Sequence, residues 1–327
     1  MIGKEAIGRI HMFKIQPVYK DYLWGGNKLK EAYGKQSDLD IVAESWELST
    51  HPSGVCEIEI NGERRSLADY IKEHGKKVLG TKSNVEDQIP ILIKLIDARD
   101  NLSVQVHPDD EYAKVNENDL GKTEMWYVLE AEEGAQLVYG FKKDLSKEAL
   151  KTAIEENTLS DLLNYVEVHK GDVFFITPGT MHAIGKGIVI AEIQESSNVT
   201  YRVYDYGRVG ADGKPRQLHI DKALEVTKLE KAKEDNYPYV MEMLEGVKIG
   251  TLAECPYFTV KRIELEDEIH IVADTTSFQD LLVVDGTVEI NEAGQKWIGK
   301  KGDSFFVPAG TGNYTITGKG EIILSTL

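Results

Sequence analysis

Cysteine is scarce in this chain: Cys56 and Cys255 are the only two in 327 residues. They stand far apart, outside any C-x-x-C or finger-type spacing, which argues against a disulfide framework. Unpaired thiols fit a reducing cytoplasm, the expected compartment. Long apolar runs are also missing, and nothing approaches the roughly 18 consecutive apolar residues of a membrane-spanning helix. The opening, M-I-G-K-E-A-I-G-R-I-H, has no continuous apolar stretch before a small-residue cleavage site, so no secretory signal is read there. Met12 opens M-F-K-I-Q-P, which reads as a natural start, and residues 1–11 are expected to be a leader or upstream extension. Basic residues are outnumbered: 38 Lys and Arg against 55 Asp and Glu give a formal net charge of −17. Nucleic acids and anionic membranes are bound through basic patches, so neither is expected as a partner. An anionic small molecule would need a local cluster of Lys and Arg to overcome the global field.

What the chain does have is a repeated phrase. Residues 170–182 read K-G-D-V-F-F-I-T-P-G-T-M-H, and residues 301–313 read K-G-D-S-F-F-V-P-A-G-T-G-N. The two align without a gap at an offset of 131, with seven of thirteen positions identical. The last position differs, His182 in the first copy and Asn313 in the second. Two versions of one strand–turn–strand unit are implied, and only the first keeps a metal-capable imidazole.

A chain of this length is expected to form about two domains of roughly 150 residues. Most of it reads as short strands bounded by Gly, Pro, Asn and Asp, the pattern of an all-β sandwich or barrel. Such runs are Ile41–Leu48, Val55–Ile60, Ile91–Ile96, Met125–Glu130, Gln136–Tyr139, Val173–Thr177, Val189–Gln194 and Tyr201–Tyr204. Further on come Phe258–Leu265, Asp280–Val284, Thr287–Ile290, Ser304–Val307 and Glu321–Leu324. Three stretches read as helix: one capped by Ser66, one over 145–166 broken in two at Asn157 and Thr158, and one capped by Asp221. They interrupt a β framework rather than alternate with it, so a parallel α/β sheet is rejected. The expected fold is mainly β, two jelly-roll barrels with short helical insertions. The charged segment Lys228–Asn236 reads as a linker, giving a metal-binding domain over 12–235 and a degenerate copy over 236–327.

Gln105 and His107 lie two residues apart in L-S-V-Q-V-H-P-D-D, so on a strand they share a face. Glu124 opens the next strand in G-K-T-E-M-W, and His182 closes the repeated turn. One face of a small barrel can gather these four around a cation, and imidazole with carboxylate suits zinc. Lys94, Lys122, Arg202 and Arg208 flank the motif and suggest a pocket for an anion; Arg in particular offers bidentate geometry for phosphate. Q-x-H, a later Glu and P-G-x-x-H in that order resemble the cupin barrel family. Gln105 stands where most cupins place a first His, which suits a Lewis-acid metal better than redox iron and argues against an oxygenase.

Taken together, P-V-Y-K-D-Y-L-W-G-G (17–26), A-E-S-W-E-L-S-T-H-P-S-G (43–54), L-S-V-Q-V-H-P-D-D (102–110), G-K-T-E-M-W-Y (121–127), P-G-T-M-H-A-I (178–184) and E-I-Q-E-S-S-N-V-T-Y-R (192–202) resemble the type I phosphomannose isomerases, in their short bacterial form. The resemblance covers nearly the whole chain from Met12 and implies interconversion of mannose 6-phosphate and fructose 6-phosphate through a cis-enediol. It implies zinc held by Gln105, His107, Glu124 and His182, and Arg202 as the catalytic arginine. Glu192 matches an acidic site residue of the family and Arg208 a basic position near the substrate phosphate. Ser103, Lys94 and Lys122 match pocket positions, and Trp24 matches a pocket wall or a core residue. For the base, Lys122, Glu192 and a metal-bound water all stay open. A small-molecule sugar phosphate is the expected partner, and the protein is expected to be a monomer or weak homodimer. The large helical insertion of longer members is missing. A sugar-phosphate sensor and a cupin of other chemistry are the rival readings, and the complete ligand set weighs against the sensor.

Overall fold

A computed structural model describes residues 11–60, 62–210, 213–233, 237–244 and 246–327. The supposed leader, apart from His11, and the end of the supposed linker lie outside the described residues. The structure is mainly antiparallel β. No helix among the described residues is long and apolar enough to cross a membrane.

The chain divides into two compact units, one made of Met1–Val18, Trp46–Pro90 and Tyr239–Leu327, the other of Tyr19–Ser45 and Ile91–Pro238. A linear split at 235 therefore lies near the last of four crossings. The others have no linker-like composition, because they follow from strand pairing. Phe13–Gln16 pairs with Ser304–Val307 on one side and with Glu57–Ile60 on the other, which recruits early segments to the C-terminal sheet.

In that first unit an 11-stranded sheet is built around two long strands, Gln279–Glu292 and Gly312–Thr326, which pair along most of their length. Asp280–Val284 and Thr287–Ile290, read as two strands, form one continuous strand with a register shift between Val283 and Asp285. Leu281, Val283, Phe305, Tyr314 and Ile316 point into its core.

The second unit stacks two sheets. One has the order Leu163–Glu167, Gln136–Phe141, His182–Ala183, Val104–Val106, Tyr201–Tyr204, and in the other Val173–Ile176, Glu124–Ala131, Ile188–Glu195 and Ile91–Ala98 are neighbours in that order. Side-chain alternation gives each strand two distinct faces. Val104, Val106, Val138 and Tyr201 pack outward against Leu150 and Leu224 of the helices Lys147–Glu155 and Ile220–Val226. The inner faces carry Ile96, Val128, Ile188 and Ile190 into a core with Trp24, Trp126 and Phe174. On the same inner faces, two or four residues along, sit Lys94, Glu124 and Glu192. One end of the interior is thus apolar and the other charged.

The repeated phrase forms the same turn in both units, bond by bond. Gly171 and Gly302 take φ of 95° and 94°, and Gly179 and Gly310 take 85° and 78°, conformations that favour glycine. Asp172 accepts from the His169 amide at 2.8 Å, and Asp303 from the Lys300 amide at 2.9 Å. The amides of Val128 and Val283 donate to the carbonyls of Asp172 and Asp303, both at 2.9 Å.

Ser66 caps the helix Leu67–His74 as read, accepting from the Asp69 amide at 3.3 Å. The second half of 145–166 is not helical. After Lys147–Glu155, Asn157 takes φ 58°, Leu159–Asp161 makes a 3-10 turn, and Leu163–Glu167 pairs with Gln136–Phe141. Leu159 and Leu163 bury in the same cluster that a helix would have reached, so an open sheet edge outweighs local periodicity. The third helix starts at Ile220 with His219 at the cap, and Asp221 lies in its first turn. The helix Asp110–Asn116, capped by Asp109, has too short a pattern to stand out in the sequence.

Gly185 lies where two backbones meet: a Cβ there would sit 1.7 Å from the Gln136 carbonyl oxygen. Gly185→Ala is expected to destabilise by roughly 2 kcal/mol or more. Differential scanning calorimetry should show a midpoint lowered by at least about 4 °C.

Candidate functional site

Strand pairing brings Gln105, Glu124 and His182 to one end of the second unit's interior, and His107 follows directly on the strand Val104–Val106.

 Strand pairing sets His182 opposite Gln105, and Gln105 opposite Arg202. From the facing sheet, Glu124 pairs with Gln194 and Glu192 with Lys94. The Nε2 atoms of His107 and His182 stand 3.1 Å apart, and Glu124 lies 3.4 Å from His182 Nε2 and 3.7 Å from His107 Nε2. The Gln105 amide meets His182 Nε2 at 3.4 Å. Each imidazole turns its Nδ1 to a carbonyl oxygen, His107 to Val199 and His182 to Thr180, both at 2.8 Å. A carbonyl only accepts, so Nδ1 carries the proton and both Nε2 lone pairs face inward.

Charge follows the same logic. Burial and the Lys122 ammonium hold His107 well below the usual imidazole range, and burial holds His182 at about 4, so both rings are neutral at pH 7. Burial pushes the Glu124 carboxyl up to about 8 against the pull of Lys122. The Glu124 side chain has no exposed surface, and its carboxyl is met by the Lys122 ammonium at 3.3 Å. Two inward lone pairs beside a buried carboxyl make a set of electron-pair donors, and a divalent cation among them would supply a common acceptor. His107, Glu124 and His182 can each offer one ligand atom, all within 4.8 Å of one another.

The other unit shows what the same position looks like without such a need. By strand register, Gln279 stands opposite Val307 as Glu124 stands opposite Ile176. Gln279 accepts from the Tyr314 hydroxyl at 2.6 Å and donates to the Val272 carbonyl at 3.0 Å, so its amide is satisfied by protein alone. Asn313, the counterpart of His182, is exposed.

The remaining sequence-predicted residues divide into three settings. Lys122 is buried beside the ligands, 3.3 Å from Glu124 and 3.4 Å from His107. Lys94 and Glu192 form a buried ion pair at 2.9 Å, and the Trp126 indole donates to Glu192 at 3.1 Å. Burial alone would raise the Glu192 carboxyl, but Lys94 and Lys122 override it and hold it at about 2. Arg202 donates to Ser103 at 3.3 Å and to the Gln217 carbonyl at 2.9 Å, and Ser103 in turn reaches Gln105 at 3.5 Å. Arg208 is tied to Asp205 and donates to the Asn101 carbonyl at 2.6 Å, with its guanidinium 5.2 Å from the Tyr206 ring. Trp24 sits in the apolar core, stacked on Tyr22 at 5.4 Å.

Sequence reasoning missed three residues. Arg216 shares the Asp205 carboxylate with Arg208, donating from Nε at 2.7 Å. Tyr22 feels the charges of Glu44, Lys94 and Arg216, and burial first of all raises its hydroxyl to about 12. Its place in P-V-Y-K-D-Y-L-W-G-G was the available signal. Asp205 and Arg216 carried none, since they converge only through the turn after Tyr201–Tyr204.

Comparison with known proteins agrees with this geometry. The model of the phosphomannose isomerase type I catalytic domain matches residues 12–139, and that of the mannose-6-phosphate isomerase cupin domain matches residues 248–327. The chain is 36% identical over 313 residues to mannose-6-phosphate isomerase ManA of Bacillus subtilis, covering 95% of this chain and 98% of that one. It is 37% identical over 305 residues to the mannose-6-phosphate isomerase of Streptococcus mutans, covering 93% and 94%. A crystal structure of the Bacillus subtilis mannose 6-phosphate isomerase superimposes with a TM-score of 0.90 at 33% identity, covering 97% of this chain and all of that one. The chain is an isomerase of the cupin class, and it belongs to the type I phosphomannose isomerase family. A zinc-bound structure of a mannose 6-phosphate isomerase shares the fold, with a TM-score of 0.78 at 19% identity.

Glu124→Gln removes the one carboxyl among the candidate ligands while keeping its size. Equilibrium dialysis is expected to show a loss of divalent-metal affinity beyond the roughly 10–100-fold typical of outer-shell changes.

Proposed function

We propose that the protein interconverts mannose 6-phosphate and fructose 6-phosphate through a cis-enediol, with a zinc ion held by Gln105, His107, Glu124 and His182. The observation that carries the reading is Glu124, a fully buried acid whose oxygens lie 3.4 and 3.7 Å from the Nε2 atoms of two neutral imidazoles in a chain of this family. Imidazole, carboxylate and amide donors without thiolate fit zinc with a position left for substrate. Bound zinc would supply Lewis-acid polarisation of the sugar's C1 and C2 oxygens.

The chain's own residues then divide the work. Isomerisation takes a proton from C2 and returns it at C1, while negative charge develops on the two neighbouring oxygens. Arg202, fixed by Ser103 and Gln217, has its Nη2 without a hydrogen bond among the described residues, and it is placed to stabilise that charge. Lys122 is assigned the proton transfer. Glu192 is less suited, since Lys94 and Trp126 occupy it and hold it ionised. Arg208 and Arg216 share one carboxylate, Asp205, and so leave one net positive charge for the phosphate end of the substrate. Tyr22, which feels the charges of both Lys94 and Arg216, is assigned with Lys94 to the substrate's path between these ends. A phosphorylated sugar and two free thiols both fit a reducing cytoplasm.

The test is turnover of mannose 6-phosphate before and after chelation, with zinc added back. Activity should vanish with the metal and return with zinc; an inactive zinc-loaded protein would overturn the assignment. Arg202→Ala is expected to lower kcat about 10²–10³-fold with zinc content unchanged. Lys122→Met should lower it at least about 10²-fold, and a variant that keeps full kcat moves the proton transfer to another group.

A further inference from the structure

Glu195 ends the strand Ile188–Glu195 and is almost fully buried. It makes two bonds to one residue of the facing segment: its carboxylate accepts from the Thr123 amide at 2.7 Å, and its own amide donates to the Thr123 carbonyl at 3.0 Å. Its carboxyl also meets that of Asp110, the first residue of the helix Asp110–Asn116. Asp110 in turn accepts from the Gly121 amide at 2.8 Å. The two carboxyls therefore grip Gly121 and Thr123, the neighbours of Lys122 on either side, immediately before Glu124.

The same short stretch braces the site from its other end. Gln194 donates to the carbonyls of Glu195 at 2.7 Å and Ser197 at 2.8 Å, and Ser197 donates to the Leu120 carbonyl at 2.9 Å. Two residues on, the Val199 carbonyl orients His107. The segment itself has little slack, since a Cβ on Gly121 would lie 2.5 Å from the Asp110 amide. The charged groups around Glu195 are Asp110 on the helix and Lys122 and Glu124 on the segment, and the last two turn to each other rather than to it.

We propose that the Glu195–Asp110 carboxyl pair is a proton-dependent latch that positions Lys122 and Glu124. Two carboxyls in contact out of water cannot both stay ionised at low cost, so one proton is held between them. With the proton present, Glu195 donates to Asp110 while each acid accepts a backbone amide, and Gly121–Thr123 is fixed. Without it the two anions repel and the segment loosens. Burial, with Asp110 alongside, raises the Glu195 carboxyl to about 7 against the opposing pull of Thr123, which puts the release within a physiological range of pH. Glu195 is a positioning residue and touches no reacting atom.

The inference rests on the isomerase reading for one of its two readouts. Glu195→Gln keeps both contacts at every pH, because its carbonyl accepts from Thr123 and its amide donates to Asp110. For zinc-loaded protein, the ratio of kcat in this variant to kcat in the parent should rise at least about threefold from pH 6 to pH 8.5, with KM little changed. Glu195→Leu should lower kcat at pH 6 with zinc content retained. The second readout needs no substrate. A carboxyl raised in the folded state contributes stability that is complete below its unfolded value and is lost as pH rises through its folded value. The thermal midpoint of Glu195→Gln relative to the parent should therefore climb between pH 5 and pH 8 and level off above. A kcat ratio and a midpoint difference that are both flat across pH overturn the latch. If Glu195→Gln does not fold, Asp110→Asn, whose amide can donate to ionised Glu195, must show the same two trends. A parent inactive on mannose 6-phosphate sinks the functional reading, and the midpoint difference then decides the latch alone.

Discussion

A carboxyl taken out of water must find a cation or a proton: burial raises Glu124 to about 8 against the pull of Lys122, 3.3 Å away. Counted as ionised, Glu124 leaves the formal charges around it in balance. Lys94 and Lys122 offset Glu124 and Glu192, and both histidines are neutral. A dication in their midst leaves two positive charges, the amount carried with opposite sign by a sugar phosphate. On the proposed zinc reading, the pocket would become complementary to a sugar phosphate only with its metal bound.

The duplicated turn shows how little separates a site from a core. Both units build it with the same glycines at positive φ and the same aspartate and amide bonds. Where one has Glu124 and His182, the other has Gln279, satisfied by Tyr314 and Val272, and an exposed Asn313. Replacing a carboxylate by an amide with internal partners turns a demand for a cation into ordinary packing, without a change in the backbone.

Much of this was legible in order along the chain. The period-two spacing of Gln105 and His107 depends only on strand geometry, and the turn sequence before His182 depends only on which residues tolerate positive φ. Tyr201–Tyr204 and Ser304–Val307 have the bounds that their alternation implied. Local pattern failed over Leu159–Val166, where leucines at helical spacing fill a strand and a 3-10 turn because an edge strand was open to pairing. It failed also at the unit boundaries, since no composition shift marks the point where Phe13–Gln16 joins a strand almost 300 residues later.

The sequence by itself determined the donor types, their spacing and the class of strand and turn that carries them, because those follow from backbone periods and side-chain chemistry alone. Only the tertiary structure decided which charges meet. Arg208 is neutralised in part by Asp205 and shares it with Arg216, Glu192 is locked by Lys94 and Trp126, and Glu195 finds Asp110 across two elements. Pairings of that kind depend on distances between strands remote in sequence and on the exclusion of water around them, and neither quantity is written in any local stretch of residues.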